Sequence, residues 1–311
     1  MKKNKNELDQ FFTNPIVTDK LAKKIIELFR ISIFERQIIE PSAGSGNFVK
    51  SLLKLGIKRK NIKAFDIDVS FYPYKNIKQC DYLTEKIEYS ENNIIIGNPP
   101  FGKRAKKAID FINKGLTEAP YVCFVLPNTF KRYLTQNKII PEAELIYEID
   151  LDSNSFLIDN REYDVNCVFQ IWANKKAHHY LNNLRKAESD IKKSPDFTTF
   201  IYNNTYETLK YFDKTKYKWD FAIVRQGFYN YNEFIFEEKE LKSNRQYLFV
   251  KLEKPEFMKI FNLIDFNKIV KNNTSIPGFS LTDLIKEYNK IKYSVTLIEA
   301  MIEEHDKSKN K

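Results

Sequence analysis

Glycine is scarce in this chain, 8 of 311 residues, where average usage of about 7% would supply roughly 22. A chain so sparing with glycine places it where backbone must turn sharply or approach another group. Half of the eight fall in two short segments, Gly44 with Gly46 and Gly97 with Gly102. Cysteine is scarcer: Cys80, Cys123 and Cys167 are too few and too scattered for a disulfide framework or a structural zinc site. Cys123 and Cys167 sit inside apolar runs, where a cysteine is a small core residue. No metal is expected, and the location expected is cytoplasmic. Long apolar runs are missing too. The longest, Tyr121 to Leu126, falls far short of the roughly 20 residues of a spanning helix, so no membrane protein is expected. The basic start Met1 to Asn6 is not followed by an apolar stretch of signal-peptide length.

The chain has enough apolar material for a large core: 42% of residues are hydrophobic and 14% aromatic, with 30% charged. Its length suggests two domains. The net charge of +10, spread over both halves rather than held in a tail, favours a polyanionic partner.

Thr18 can cap a first helix whose apolar stripe is Leu21, Ile25, Leu28 and Phe29. Short apolar runs then alternate with helical stretches. Gln37 to Ile39, Ala64 to Ile67, Asn93 to Ile96 and Tyr121 to Leu126 read as strands; 47–55 and 103–116 read as helices. Alternation at this spacing predicts a doubly wound, Rossmann-like α/β sheet. Leu145 to Leu151 and Asn166 to Trp172 have no clear helix between them, which predicts an antiparallel hairpin finishing a mostly parallel sheet. The character changes after Trp172. The domains expected are 1–174, a linker or exposed helix over 175–198, and a smaller α+β region over 199–311. Within that region Ser280 to Asp283 reads as a helix start with a capping box.

The two glycine segments carry the chemistry. Ile38 to Phe48 reads as strand, Gly-rich turn, helix, which brings backbone N–H groups and a helix N-terminus up to a nucleotide-like ligand. The third glycine of a dinucleotide site is absent, its position taken by Val49, and an acidic residue, Glu40, closes the strand. Asp66 ends the next strand, where a carboxylate can accept hydrogen bonds from two ribose hydroxyls. The second segment, Asn98-Pro99-Pro100-Phe101, follows a buried strand. Two prolines fix φ and remove two donors. The Asn98 side-chain oxygen and the Pro99 carbonyl can then accept both hydrogens of an exocyclic –NH2, drawing its nitrogen towards tetrahedral geometry. Phe101 offers a face on which a planar group can stack.

On these residues the chain resembles the S-adenosyl-L-methionine (AdoMet)-dependent amino-methyltransferases, specifically N6-adenine DNA methyltransferases of gamma-like motif order. Phe11 to Pro15 is similar to the family's Phe-x-Thr-Pro-like opening, with Asn14 inserted. The resemblance spans about 12–172 and implies cofactor contacts from Thr13, from Glu40, Pro41, Ser42, Ala43, Gly44, Gly46, Asn47 and Phe48, and from Asp66 with Ile67. Asp81 would meet the cofactor adenine amine and Tyr82 would pack on that ring. It implies a catalytic tetrapeptide Asn98, Pro99, Pro100 and Phe101. Phe124 to Pro127 is similar to the family's later strand-plus-proline motif. The aromatic that stacks on the flipped base would be Phe101 with Phe156 or Tyr163. It also implies double-stranded DNA as partner and a setting of restriction–modification type.

The base would be flipped out of the duplex, with alignment rather than a strong base driving transfer. The histidines, His178, His179 and His305, lie outside every motif and take no role. Lys103, Arg104, Lys106 and Lys107 follow the catalytic loop, and their clustering in a helical first turn, against the dipole, points to phosphate contacts. Arg225 and Gln226, opening a run of amides and aromatics to Asn232, are the candidate recognition residues. The alternatives are an RNA methyltransferase acting on adenine N6 or guanine N2, a protein-glutamine methyltransferase, or a catalytically silent nucleic-acid-binding module that kept the fold.

Overall fold

The structure, a computed structural model, describes residues 12–73, 76–152, 154–158, 161–163, 165–187, 193–272 and 276–309. The chain divides into two compact units, residues 1–189 and 190–311.

In the first unit, helix α1 (Pro15–Phe29) buries Leu21, Ala22 and Ile25. Its cap is Asn14 rather than Thr18: the Asn14 side chain accepts the Ile16 N–H at 3.0 Å, and Pro15 occupies the first helical position. Proline has the φ that position needs and no N–H to satisfy, so the start is displaced upstream. Thr18 lies one turn inside the helix, with its hydroxyl donated to the Pro15 carbonyl.

Strands β2 (Gln37–Glu40), β3 (Ile62–Asp66), β4 (Ile77–Gln79), β5 (Asn93–Gly97), β6 (Tyr121–Pro127), β7 (Glu144–Asp150) and β10 (Cys167–Ala173) form one sheet in the order β4-β3-β2-β5-β6-β10-β7. The five strands from β4 to β6 run parallel. β10 runs antiparallel to both β6 and β7, as the patternless stretch between Leu151 and Asn166 led one to expect. That stretch holds a small strand pair, β8 (Phe156–Ile158) with β9 (Arg161–Tyr163), and β8 also pairs with the two-residue β1 (Phe12–Thr13).

The sheet is covered on both faces because its strands are apolar on both. Ile38, Ile94, Ile96, Cys123 and Val125 pack with α1 and with helix α2 (Asn47–Lys54). Ile39, Ile95, Val122 and Phe124 face the other way, onto Ala108, Ile109, Ile112 and Leu116 of helix α3 (Lys106–Glu118). Strand order reverses between β2 and β5: the chain runs outward through β3 and β4, then returns to the other side of β2. A crevice beyond the carboxyl ends of β2 and β5 is where open α/β sheets bind ligands, and both glycine segments begin there.

Residues 175–187 are neither linker nor helix. They lie on the first unit, where the Arg185 guanidinium donates to the carbonyls of Gln136, Ile139, Ile140 and Ala143. A guanidinium spending its donors on main-chain carbonyls holds an irregular segment in place of a helix.

In the second unit, strands β11 (Phe197–Tyr202), β12 (Phe221–Gln226) and β13 (Gln246–Leu252) form an antiparallel sheet with β13 central. Phe197, Phe221, Leu248 and Val250 pack with Phe261, Phe266, Leu284 and Tyr288. The long C-terminal helix Leu281–Lys309 opens with the expected box: the Ser280 N–H donates to the Asp283 carboxylate at 2.9 Å and the Ser280 hydroxyl accepts the Asp283 N–H. Among the described residues, no helix is long and apolar enough to cross a membrane.

Candidate active site

β2 ends on Glu40, and the chain then turns through residues 41–46 into α2. Two left-handed glycines make the turn, Gly44 at φ +51° and Gly46 at φ +73°. Side chains crowd both: a Cβ on Gly44 would lie 3.0 Å from the Phe12 ring, and one on Gly46 would lie 3.0 Å from the Tyr72 ring. Asp66, at the end of β3, braces the turn from beside. One carboxylate oxygen accepts the Gly44 N–H at 2.7 Å and the other accepts the Asp68 N–H at 2.9 Å. Each oxygen keeps a further lone pair, so Asp66 both shapes the turn and retains acceptor capacity on the cavity side.

A cavity opens between this turn and the loop after β5. It is lined by Glu40–Ser45, Asn47 and Phe48 from the turn and α2, Asp66–Asp68 and Phe71 after β3, Cys80–Leu83, Asn98–Phe101, and Phe12, Thr13, Lys107 and Phe111. Among the buried polar atoms on its wall with no hydrogen-bond partner within the protein are the Glu40 Oε2 and the Thr13 Oγ1. An unpaired buried polar atom costs about 1–3 kcal/mol, and more when charged. The pair suits a zwitterionic amino-acid end, the carboxylate for an ammonium and the hydroxyl for a carboxylate.

Burial pushes the Glu40 carboxyl well above the usual carboxylate range, and the nearby Asp66 charge pushes it further, against the lowering effect of the Val49 N–H. Burial also raises Asp66, opposed by the N–H groups of Asp68 and Gly44. A cation at Glu40 favours the ionised form, so binding one must expel the proton that the free protein holds below its raised pKa. Cation affinity therefore rises with pH until Glu40 is ionised in the free protein. Calorimetric titration with AdoMet in two buffers of different ionisation enthalpy, at pH values from about 5 to 7, is expected to show proton release together with affinity falling by up to tenfold per pH unit below the raised pKa. Affinity and heat independent of pH and buffer would contradict this.

The second wall is the loop after β5. Pro99 and Phe101 are buried and Asn98 and Pro100 half-buried. The Ser42 hydroxyl donates to the Asn98 carbonyl oxygen at 2.8 Å. The Phe101 ring meets Phe156 edge-on, centroids 6.3 Å apart at 88°. Phe156 is fully buried and does not line the cavity; it supports Phe101 from behind. It is the Cα partner of Tyr163 on β9, and the Tyr163 side chain lies outside the described residues, as does Phe11.

The expected helix start at 103 is displaced to Lys106. Gly102 sits at φ +69°, and Arg104 and Ala105 are also left-handed at φ +55° and +61°. Non-glycine residues there cost about 1–2 kcal/mol each. This tight turn presents Lys103 and Arg104 to solvent ahead of the helix, so the dipole opposes only Lys106 and Lys107. Lys106 pairs with Asp110 at 2.7 Å, and Lys107 lines the cavity.

The third wall is flat and apolar. The Tyr82 ring packs on Phe111 at 5.2 Å, and its hydroxyl donates to the buried Glu118 carboxylate, which also takes an ion pair from Lys114. Asp81 is exposed; one carboxylate oxygen accepts the Leu83 N–H at 2.9 Å.

The structure thus brings to one cavity every cofactor and catalytic residue singled out from sequence except Gly46, which helps make the turn but packs against Tyr72 and Pro73 rather than lining the cavity. Arg225 and Gln226 fall in the second unit, at the end of β12, and Tyr231 of that segment is core, its hydroxyl donated to the Gly227 and Pro277 carbonyls. Sequence reasoning missed Phe71 and Phe111 as lining residues. Phe111 adjoins the apolar stripe of α3 and could have been found by it; Phe71 lies in an irregular loop with no periodic signal.

No family model matches the chain, and no curated protein matches it. Among solved structures it is similar to a proposed RNA methyltransferase of Pyrococcus horikoshii (16% identity, TM-score 0.45, 56% of this chain and 90% of that one). It is also similar to a proposed class I AdoMet-dependent methyltransferase of Listeria monocytogenes (14%, TM-score 0.43, 61% and 67%). A third is the methyltransferase subunit of a type I restriction–modification system of Streptococcus thermophilus (15%, TM-score 0.41), of which the chain spans 45%. At these identities and scores the likeness adds nothing to what the chain's own residues show.

Proposed function

We propose that the chain is an AdoMet-dependent methyltransferase acting on the exocyclic N6 of adenine in DNA. The observation that carries this is one cavity walled both by the Gly44–Gly46 turn, with the Glu40 Oε2 that has no partner in the protein, and by the Asn98–Phe101 loop. Bound AdoMet supplies a methyl group on a sulfonium, an electrophile that needs no activation. Glu40 and Thr13 hold its amino-acid end, Asp66 accepts from its ribose, and Tyr82 and Phe111 offer faces for its adenine, with Asp81 at their edge.

The Asn98 side-chain oxygen and the Pro99 carbonyl accept the two hydrogens of the target amine and orient its lone pair. Phe101 stacks on the base. Flipping costs a few kcal/mol, and stacking returns about 1–3 kcal/mol per base. The Thr13–Pro15 segment, folded as β1 and the start of α1, and the second unit that follows the catalytic half support DNA over RNA, while the basic excess counts against a protein substrate. The second unit we assign to target recognition, with Arg225 and Gln226 its first candidates.

Lys103 and Arg104, exposed on their left-handed turn, contact the phosphates flanking the flipped base. Reversing both charges (Lys103→Glu with Arg104→Glu) is expected to weaken DNA binding and to flatten the slope of log affinity against log salt by about 2, close to 1 per lost phosphate contact. An unchanged slope in a filter-binding titration would remove these two residues from the interface.

The proposal is tested by transfer from methyl-labelled AdoMet to unmethylated duplex DNA and to unmodified RNA in parallel. Label in DNA is the expected result. Label in RNA alone would keep the site and overturn the substrate; label in neither, with AdoMet still bound, would overturn the reading of the second wall.

A further inference from the structure

The turn after β2 and the loop after β5 are joined by a side-chain bond across 56 positions of sequence: the Ser42 hydroxyl to the Asn98 carbonyl, 2.8 Å, part-buried. The segments also touch. A Cβ on Gly97 would lie 3.5 Å from the Pro41 ring and 3.6 Å from the Glu40 side chain, so main chain packs directly on the residues that start the turn. Ser42 itself sits between Pro41 and Ala43, within the stretch that Glu40 anchors on one side and Asp66 on the other through the Gly44 N–H.

What hangs on the Asn98 carbonyl follows from the two prolines. With φ fixed at Pro99 and Pro100, and ψ restricted at Asn98 and Pro99 because each precedes a proline, the segment from Asn98 to Pro100 is stiff. A bond that holds the Asn98 carbonyl therefore places the whole segment, and with it the Asn98 side chain and the Pro99 carbonyl. Resting on the function proposed above, those are the two acceptors for the target amine, and the Asn98 carbonyl is the acceptor not used on the base. Ser42 grips that one.

We infer that Ser42 is a positioning residue that couples the two halves of the site. Cofactor bound against Glu40 and Asp66 fixes the turn, the turn fixes Ser42, and Ser42 fixes the stiff segment that carries both acceptors. Coupling of this kind is reciprocal: DNA tightens the cofactor by the factor by which the cofactor tightens DNA. One neutral hydrogen bond sets that factor at about 3- to 10-fold. The two walls of the cavity are then not independent subsites but one unit with a single adjustable tie.

The test uses sinefungin, an unreactive AdoMet analogue, titrated into wild type, Ser42→Ala and Ser42→Thr without and with saturating unmethylated linear plasmid DNA. Wild type is expected to bind sinefungin about 3- to 10-fold more tightly with DNA present. Ser42→Ala is expected to lose the enhancement, measured against its own DNA-free affinity, and to lose a similar factor in single-turnover transfer at saturating AdoMet; Ser42→Thr, which keeps the hydroxyl, restores both. Ser42→Ala retaining the enhancement over its own DNA-free affinity would overturn the inference while wild-type transfer left the function standing. Wild type that binds sinefungin, ignores DNA and transfers no methyl group would overturn the function and the inference with it.

Discussion

Asn98→Ala is expected to lower the single-turnover rate of methyl transfer by at least about 10³-fold while leaving AdoMet affinity within about twofold of wild type. Methyl transfer from a sulfonium needs no strong base, so the protein's contribution is alignment of the amine with the methyl carbon. Removing one fixed hydrogen-bond partner of a developing charge costs about 10²–10³ in rate. Asn98 also fixes the direction of attack, so its loss belongs at or above the upper end. The cofactor side should survive because what the Gly44–Gly46 turn receives from Asn98 is its main-chain carbonyl, bonded to Ser42, and alanine keeps that carbonyl. A variant that lost AdoMet affinity and rate together would make Asn98 part of the turn's scaffold instead.

Glu40→Gln is expected to act in opposite directions on two measurements. AdoMet affinity should fall by about 30-fold or more, since removing one partner of a buried charge pair costs about 2–5 kcal/mol. Thermal stability of the free protein should hold or rise. Glu40 is fully buried and its Oε2 has no partner, so in the free protein the carboxylate is a liability that glutamine removes, while the amide oxygen can still accept the Val49 N–H. Below its raised pKa the free protein holds Glu40 neutral, so the stability gain should appear towards neutral and higher pH and vanish in acid. A fall in melting temperature with AdoMet affinity untouched would make Glu40 a packing residue.

Much of this site was legible because proline, glycine and carboxylate declare themselves in a chain that uses glycine so rarely. Glu40, Asp66 and Asn98 lie 26 and 32 residues apart in sequence, and the alternating strands alone predicted that β2, β3 and β5 would bring their carboxyl ends together. The reversal of strand order that opens the crevice is a property of the sheet's topology, which no periodicity encodes. Four things were not legible. Asn14 took the cap from Thr18 because Pro15 competes for the first helical position. The turn at Arg104 and Ala105 adopts a left-handed conformation that their side chains disfavour, so propensity pointed to an earlier helix start. Phe156 is apolar and near the right place for base stacking, yet β1 and β8 bury it, and only pairing across more than 140 residues reveals that. The bond from Ser42 to Asn98 carries no sequence signal: a serine in a turn satisfies its hydroxyl locally more often than not, and this bond is a tertiary fact.

The most direct test of the central claim is nucleoside mass spectrometry of genomic DNA from a host free of adenine methylation, expressing either the wild-type chain or Asn98→Ala. N6-methyladenine in the wild-type DNA and its absence with Asn98→Ala is the result the account predicts. DNA without N6-methyladenine from cells holding folded, AdoMet-binding wild-type protein, or with the methyl group on another base, would contradict it.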